Sequence, residues 1–374
     1  MTDPHDSGFP TPAGVSELTT ELADDIRRAI ERVLARGLFL LGPELEAFEL
    51  EFAAACSSRN CVGVGSGTDA LALALRACGV GPGDEVIVPS NALPTAFGVA
   101  MTGATLRFAD VRETDLTIDP LEVDRLLSTR TRAVVPVHLY GQPANIAAVR
   151  SVVDPSRVSI VEDCAQAHGG SVDGRAVGRA GDAAAWSFYP TKNLGALGDG
   201  GAVTTSRDDI AEAVRSLRMY GETERFLSTR QGVNSRLDEI QAAVLRLKLP
   251  HLREWTERRR VIAKVYDRAL EAAGSVETPP APFPECHARH LYPIFVSDRD
   301  RIRDRLAERG LTTGIHYPRG AHDQPCFAEW RETDLPITER LCGTTLSLPI
   351  HPFVTEDQAE AIAERVTAEV ASTG

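Results

Sequence analysis

No two cysteines in the sequence stand at the C-x-x-C spacing, although the 374 residues include seven cysteines. They are scattered along the chain as Cys56, Cys61, Cys78, Cys164, Cys286, Cys326 and Cys342. Structural zinc sites and disulfide frameworks both rely on closely spaced or regularly paired cysteines. We therefore expect neither a metal site nor disulfides, a pattern typical of the reducing cytoplasm.

Basic residues are outnumbered by acidic ones: the chain has 40 Lys and Arg but 53 Asp and Glu, and its formal net charge is -13. Binding to nucleic acid needs a concentrated basic surface for the phosphates, so the composition argues against a nucleic-acid partner. An anionic small molecule is still compatible with this charge, because a few local arginines can bind it.

Long apolar runs are also missing from the sequence. No stretch approaches the roughly 20 apolar residues that a membrane-spanning helix needs. The first twelve residues, "MTDPHDSGFPTP", are polar and proline-rich, and lack the apolar region of a signal peptide. We expect a cytoplasmic protein with no membrane partner.

What the sequence does contain is an alternation of short apolar runs with helix-length amphipathic segments. The runs are "NCVGV" (60–64), "EVIVP" (85–89), "TLRFA" (105–109), "RAVVPVH" (132–138), "VSIVED" (158–163), "AAAWSFY" (183–189) and "GAVTT" (201–205). Continuous apolar strands separated by helices indicate an α/β fold with a mostly parallel sheet covered on both faces. Ligands of such sheets bind outside the carboxyl ends of the strands.

The last third of the chain has a different character. A long helical stretch at 235–272 is interrupted at Pro250, and "ETPPAPFPE" at 277–285 is too proline-rich to be helical. A strand at 290–296, a helix at 298–310, a strand at 312–318 and a final helix from about 355 follow. We predict a large domain over 1–249 and a smaller α+β domain over 250–374.

Two polar residues lie at ends of the predicted strands. Asp163 ends "VSIVED", and Lys192 follows "AAAWSFY" across a turn rich in glycine, at positions 195, 198, 200 and 201. A buried amine beside a carboxylate is either a structural ion pair or a site for pyridoxal phosphate. In the second case the lysine forms the Schiff base and the carboxylate holds the pyridine nitrogen protonated. The glycines would allow close backbone approach and positive φ angles.

The segment "GVGSGTDALALALRA" at 63–77 predicts a strand, a glycine-containing turn and a helix. The N-terminus of such a helix can bind a phosphate group. A nicotinamide cofactor is the competing interpretation, but its G-x-G-x-x-G motif does not match, because Thr68 stands at the last glycine position and Gly67 falls one residue early.

Seven motifs in fixed order carry a resemblance to a known family. They are "SGTDAL", "GDEVIVPSN", "VPVHLYGQPA", "EDCAQAHGG", "FYPTKNLGALGDGGAV", "NSRLDEIQAA" and "IHYP". With them the chain resembles the DegT/DnrJ/EryC1/StrS sugar aminotransferases, from about residue 37 to 358. The resemblance implies the fold type I architecture of pyridoxal-phosphate enzymes, with a large mostly parallel-sheet domain and a smaller α+β C-terminal domain.

The resemblance also implies roles for individual residues around the cofactor. Lys192 would bind pyridoxal phosphate covalently and then shuttle the proton, while the cofactor passes through its pyridoxamine form. Asp163 would bind the pyridine nitrogen, and Gln166 would lie against the ring hydroxyl.

The phosphate of the cofactor would be bound by Gly67, Thr68 and Ser187. Asn234 would reach it from the neighbouring subunit, which implies a homodimer with shared active sites. Leu93 stands where the family usually has an aromatic residue stacked on the cofactor ring, so that this stacking contribution of about 1 kcal/mol would be lost.

For the substrate, the resemblance indicates four residues. Tyr189, His316 and Tyr317 would contact the sugar, and Arg225 would pair with a nucleotide diphosphate across the dimer.

The predicted function is a pyridoxal-phosphate-dependent aminotransferase that moves an amino group from L-glutamate to a dTDP-linked keto-deoxysugar at carbon 3. Amination at carbon 4 and amination of a cyclitol ketone are alternatives. A dehydratase of the same fold would have histidine in place of Lys192. A non-enzymatic sensor on this fold would usually carry an added DNA-binding domain, for which the chain has no room.

Overall fold

The computed structural model describes residues 9–274, 276–282 and 284–372. Residues 1–8, which make up most of the N-terminal segment predicted to contain no signal peptide, lie outside the described residues. Within the described part of the chain, no helix is both long and apolar enough to cross a membrane.

Helices and strands alternate through most of the described chain. The helices are α1 (Val15–Glu21), α2 (Ala23–Arg36), α3 (Pro43–Ala55), α4 (Gly67–Ala77), α5 (Leu93–Ala100), α6 (Pro120–Leu126), α7 (Ile146–Val152), α8 (Asp208–Leu217), α9 (Glu239–Lys248), α10 (Leu252–Ala273), α11 (Arg299–Glu308), α12 (Pro336–Thr344) and α13 (Glu356–Ala371). The strands are β1 (Asn60–Val64), β2 (Glu85–Pro89), β3 (Thr105–Ala109), β4 (Thr131–Val134), β5 (Ser159–Asp163), β6 (Ser171–Val172), β7 (Arg175–Ala176), β8 (Ala183–Ser187), β9 (Gly201–Thr205), β10 (Glu222–Glu224), β11 (Leu227–Ser228), β12 (Tyr292–Phe295) and β13 (Thr345–Leu348).

A seven-stranded sheet with the order β1-β9-β8-β5-β4-β2-β3 forms the centre of the molecule. Each of the seven apolar runs of the sequence contributes one of its strands, so the predicted α/β fold is confirmed. β9 pairs antiparallel with both of its neighbours, and the remaining pairs are parallel. β5 and β8 are parallel neighbours, with Asp163 opposite Ala185, so their carboxyl ends meet at one edge of the sheet.

Alternation along β8 shows how the sheet is covered on both faces. Ala183 and Ala185 belong to a cluster that includes Leu71 and Leu75 of α4, whereas Trp186 belongs to a second cluster on the opposite face. Successive strand residues point to opposite faces, which is why each strand reads as a continuous apolar run. Helix α4 is buried over six consecutive residues, which places its N-terminus firmly against the sheet edge.

The C-terminal part of the chain follows the long helical stretch. α9 and α10 are separated by a 3₁₀ turn at Leu249–His251, since Pro250 has no N–H to continue the helix. β12 and β13 form a two-stranded antiparallel sheet, and residues of α10, α11 and α13 pack with it in a hydrophobic cluster. The proposed domain boundary between residues 249 and 250 stays a prediction.

One strand predicted in this part is wrong. Residues 312–318 form only an isolated bridge, between Gly314 and Ser347, and the strand beside β12 is β13 instead. β13 has the sequence "TLSL" and is completely buried, but its two hydroxyl residues make it look half polar in the sequence. His316 and Tyr317 of the predicted strand line a cavity, as described next.

Candidate active site

A cavity of about 360 Å³ opens at the carboxyl ends of β5 and β8. It is enclosed by the sheet edge, the N-terminus of α4, the turn after β8, and two segments from the C-terminal part of the chain. Its lining consists of Ser66, Gly67, Thr68, Leu71, Ala92, Pro94, Thr95, Val137, Leu139, Asp163, Ala165, Gln166, Ser187, Tyr189, Thr191, Lys192, Asp199, His290, His316 and Tyr317. Most of the site residues predicted from the sequence are therefore brought together.

Lys192 lies in a tight turn after β8. Its backbone N–H donates to the carbonyl oxygen of Tyr189 at 2.8 Å. None of the turn glycines 195, 198, 200 and 201, all of them described, has a positive φ, so that part of the expectation is wrong. At Gly195 a glycine is required by close backbone approach, because a Cβ there would clash with the carbonyl oxygen of Pro190. The turn is also anchored by Lys248, whose Nζ donates to the carbonyl oxygen of Gly195 at 2.7 Å.

The pKa of the Lys192 amine is lower than that of an ordinary lysine side chain. Burial lowers its pKa to about 8 from the usual 10.5, and the negative charge of Asp163 partly offsets that effect. An amine with such a pKa has a substantial neutral fraction near physiological pH, which a nucleophile or a base requires.

Asp163 presents its carboxylate to the same cavity and is only 8% exposed. Its Oδ2 accepts a hydrogen bond from Thr95 Oγ1 at 2.7 Å, and its Oδ1 accepts one from the backbone N–H of Ala165 at 3.0 Å. These bonds fix the orientation of the carboxylate at the end of β5, close to the strand end that leads to Lys192.

The N-terminus of α4 forms another wall. Ser66 caps the helix by accepting a hydrogen bond from the N–H of Asp69 at 3.1 Å, and the first helical residues Gly67 and Thr68 line the cavity. A Cβ at position 67 would lie 2.5 Å from the Cβ of Ser187, so only glycine allows the helix to approach β8 this closely. Backbone N–H groups and the helix dipole favour an anion here.

Tyr140 links the sheet edge to the C-terminal segments. Its backbone N–H donates to Gln166 Oε1 at 2.6 Å, and its hydroxyl donates to the carbonyl oxygen of His316 at 2.7 Å. Burial raises the pKa of the Tyr317 hydroxyl to about 12, helped by the charge of Asp163 and opposed by a hydrogen bond with Gln166. Gln166, Tyr317 and His316 are thus positioned as one unit around Tyr140.

His290 and its partner Asn193 are not among the site residues predicted from the sequence. His290 lines the cavity, and its Nδ1 lies 3.2 Å from Asn193 Oδ1. Burial lowers the pKa of His290 well below its usual value, and lowers that of His316 to about 4. The available signals were that Asn193 follows Lys192 directly and that His290 precedes a predicted strand. Neither signal indicates that the two side chains meet.

Three predicted site residues do not line the cavity of a single chain. Leu93 begins α5 and packs against the hydrophobic core, while its neighbours Ala92 and Pro94 line the cavity. Arg225 and Asn234 are exposed; the Arg225 guanidinium lies 4.9 Å from the ring centroid of Phe226, and Asn234 forms a bridge with Met219. The roles predicted for these residues stay predictions.

Fold and site together define the class of protein: the architecture is that of fold type I aminotransferases, with an amine and a carboxylate at neighbouring strand ends of one cavity. A sequence profile of the DegT/DnrJ/EryC1/StrS aminotransferase family matches residues 20–367. The chain belongs to this family, and it is an aminotransferase.

Two named relatives are similar to this chain over more than nine-tenths of their length. The chain is 45% identical to the dTDP-3-amino-3,4,6-trideoxy-alpha-D-glucose transaminase of Streptomyces venezuelae, over 92% of each chain. It is 40% identical to the dTDP-3-amino-3,6-dideoxy-alpha-D-galactopyranose transaminase of Aneurinibacillus thermoaerophilus, over 91% of this chain and 94% of that one. The crystal structure of S. venezuelae DesV in complex with a ketimine intermediate superposes with a TM-score of 0.93 at 43% identity, covering 97% of this chain and 98% of that chain.

Proposed function

We propose that this aminotransferase depends on pyridoxal phosphate and transfers the amino group of L-glutamate to carbon 3 of a dTDP-linked keto-deoxysugar. The observation that carries the proposal is the pairing of Lys192 and Asp163 at adjacent strand ends of one cavity. The names of the two relatives favour carbon 3 over carbon 4 and a nucleotide sugar over a cyclitol.

The residues of the cavity fit pyridoxal phosphate by the chemistry of their donors and acceptors. Lys192 offers an amine for the aldehyde, Asp163 a fixed carboxylate for the ring nitrogen, and the start of α4 a phosphate site. When bound, the cofactor supplies an electron sink that stabilises negative charge on the carbon beside the transferred nitrogen. Gly67, Thr68 and Ser187 would hold its phosphate, and Gln166 its ring hydroxyl.

Lys192 would move the proton during amino transfer. A pKa of about 8 leaves about a tenth of the amine neutral at pH 7, which suits a group that must both accept and donate a proton. Asp163 would keep a negative charge at the far end of the cofactor. His316, whose carbonyl oxygen is bound by Tyr140, and Tyr317 and Tyr189, which also line the cavity, would contact the sugar.

The two half-reactions can be tested separately. Reconstituted protein should lose its visible absorbance when L-glutamate alone is added and regain it when the 3-keto sugar nucleotide is then supplied. Absence of visible absorbance after reconstitution would overturn the cofactor assignment, and failure of glutamate to change the spectrum would overturn the amino donor. A response to glutamate but to no keto-sugar nucleotide would overturn the substrate class.

The proposal includes a homodimer. Several large apolar side chains are exposed on the single chain, and among them are Leu38, Phe39, Phe97, Met101, Tyr189, Leu197, Tyr220 and Phe226. The backbone N–H of Glu239, at the start of α9, donates to the carbonyl oxygen of Phe39. Gln241 of the same helix accepts a hydrogen bond at Oε1 from the backbone N–H of Leu197, in the turn beside the cavity. Exposed apolar side chains are typical of a surface that another protein covers, and a second copy of the chain would cover them and bring Asn234 to the cofactor phosphate.

Mixing Lys192→Ala with Asn234→Ala protein, after the activity of each variant alone has been measured, tests the shared site. If Asn234 acts in the partner's cavity, a hybrid of Lys192→Ala and Asn234→Ala subunits has one site with both lesions and one intact site. Random exchange then restores about a quarter of the wild-type activity. No recovery, once exchange has been shown by mass spectrometry of tagged subunits, would contradict the sharing of Asn234.

Replacing Arg225 tests the proposed diphosphate contact. A charge-assisted hydrogen bond to phosphate is strong enough that Arg225→Ala should lower kcat/KM for the keto-sugar nucleotide by about 10- to 100-fold. The half-reaction with glutamate should be almost unchanged. Arg230→Ala, at an exposed arginine that follows β11, is the matched control and should affect neither half-reaction. Equal loss in both half-reactions of Arg225→Ala would rule out the diphosphate contact.

A further inference from the structure

His290 is a cavity-lining imidazole whose hydrogen bonding is determined by a single neighbour. The residue is 6% exposed, and its Nδ1 lies 3.2 Å from Oδ1 of Asn193, which is 4% exposed. Asn193 directly follows Lys192 in the chain, so the pair connects the turn after β8 to the segment that precedes β12.

The surroundings of Asn193 fix which group faces the ring. Its Nδ2 donates to the carbonyl oxygen of Ala288 at 2.8 Å and to that of His168 at 3.3 Å. A carbonyl oxygen only accepts, so the amide cannot be flipped without placing its oxygen against both carbonyls. Asn193 therefore offers Oδ1, an acceptor, to His290.

This arrangement sets the tautomer of His290. Nδ1 must carry the proton in order to donate to Asn193, and a neutral imidazole has only one N–H. The ring stays neutral because burial lowers its pKa well below the usual value, an effect that the charge of Lys192 increases. Nε2 is left as a group that can accept a hydrogen bond and cannot donate one.

An obligate acceptor distinguishes His290 from most other polar groups of the cavity. The hydroxyls of Thr68, Ser187 and Tyr189 can either donate or accept, and the Lys192 ammonium donates. The carboxylates of glutamate only accept, and its amino group is the group transferred at Lys192. A sugar hydroxyl, in contrast, is a natural donor to Nε2.

We propose that His290 is a substrate-binding residue whose Nε2 accepts a hydrogen bond from a hydroxyl group of the sugar, with Asn193 as the positioning residue that fixes its tautomer. The proposal rests on the function proposed above and names one determinant of its sugar specificity. A buried acceptor left without a donor opposes binding, so this contact discriminates against sugars that lack the hydroxyl.

Two substitutions at position 290 separate substrate binding from a structural role. Asn can reproduce the Nδ1 donor toward Asn193 but removes the acceptor at Nε2, whereas Gln reaches the Nε2 position and can restore an acceptor there. His290→Asn should lower kcat/KM for the keto-sugar nucleotide by about 10- to 100-fold and leave the glutamate half-reaction within about twofold. His290→Gln should recover part of the loss.

The proposal is contradicted if the two variants lose activity in the opposite order. If His290→Gln is the more damaged variant, or if both half-reactions fall together, His290 supports the fold or the cofactor through Asn193 and does not bind the sugar.

The tautomer can be measured independently of turnover. In ¹⁵N-histidine-labelled holoenzyme, the resonances that disappear in His290→Asn should show a pyrrole-like Nδ1 and a pyridine-like Nε2. Addition of the aminated sugar nucleotide should shift Nε2, and addition of glutamate should not. A pyridine-like Nδ1, or two pyrrole-like nitrogens, would overturn the proposal whether or not the substrate class is correct.

Discussion

Replacing Lys192 with alanine is expected to lower kcat for amino transfer by about 10⁴-fold or more, since proton transfer by a positioned group alone contributes about 10²- to 10⁴-fold. The fold should survive, because the side chain faces the cavity and not the core. Single-turnover assays of both half-reactions measure the loss. Cofactor should still bind to Lys192→Ala, because Asp163 and the start of α4 remain in place.

A second buried lysine provides a matched control. Burial lowers the pKa of Lys248 to about 8, as it does for Lys192, but Lys248 donates to the carbonyl oxygen of Gly195 and does not line the cavity. Borohydride reduction of the reconstituted protein, followed by peptide mapping, should place the pyridoxyl group on Lys192 and leave Lys248 unmodified. A label on Lys248 would show that a low pKa alone is enough to select a lysine for the cofactor, and turnover by Lys192→Ala would show that Lys192 is not the catalytic lysine.

Replacing Asp163 with asparagine is the second change with a large expected effect. Asparagine keeps the shape of the side chain, and the backbone N–H of Ala165 can still donate to its oxygen, but the negative charge at the end of β5 is lost. Removal of a preorganised electrostatic contact costs about 10²- to 10³-fold in kcat. Asp199→Asn removes the charge of another carboxylate that lines the cavity, one that is exposed, and should have little effect.

The same substitution should change Lys192 in the cofactor-free protein. Asp163 favours the ammonium form of Lys192 and so raises its pKa; without that charge the pKa should fall below about 8. The rate of acylation of Lys192 as a function of pH measures this shift. An unchanged profile in Asp163→Asn would mean that the two groups do not interact across the cavity.

The sheet could be predicted from the sequence because its strands are short, continuously apolar and separated by helices. The direction of β9 could not, since apolar content does not reveal whether a strand runs parallel or antiparallel to its neighbours. β13 was missed for a related reason: the hydroxyls of Thr345 and Ser347 make a fully buried strand look half polar.

Site residues could be predicted only where a chemically reactive side chain follows the end of a predicted strand. Asp163 and Lys192 each follow an apolar run, so the parallel arrangement of β5 and β8 brings them to one edge. His290 and Asn193 are 97 residues apart in the chain, and only the packing of the C-terminal segments against the sheet edge joins them. Side-chain hydrogen bonds of this kind leave no periodic pattern in a sequence.

The position of the transferred nitrogen tests the central claim most directly. Wild-type protein with pyridoxal phosphate, ¹⁵N-glutamate and a dTDP-linked 3-keto-deoxysugar should give a product in which heteronuclear NMR places ¹⁵N on carbon 3. The matching 4-keto sugar, supplied under the same conditions, should remain unaminated. Nitrogen on carbon 4, or amination of a cyclitol ketone with neither sugar nucleotide converted, would contradict the proposed function.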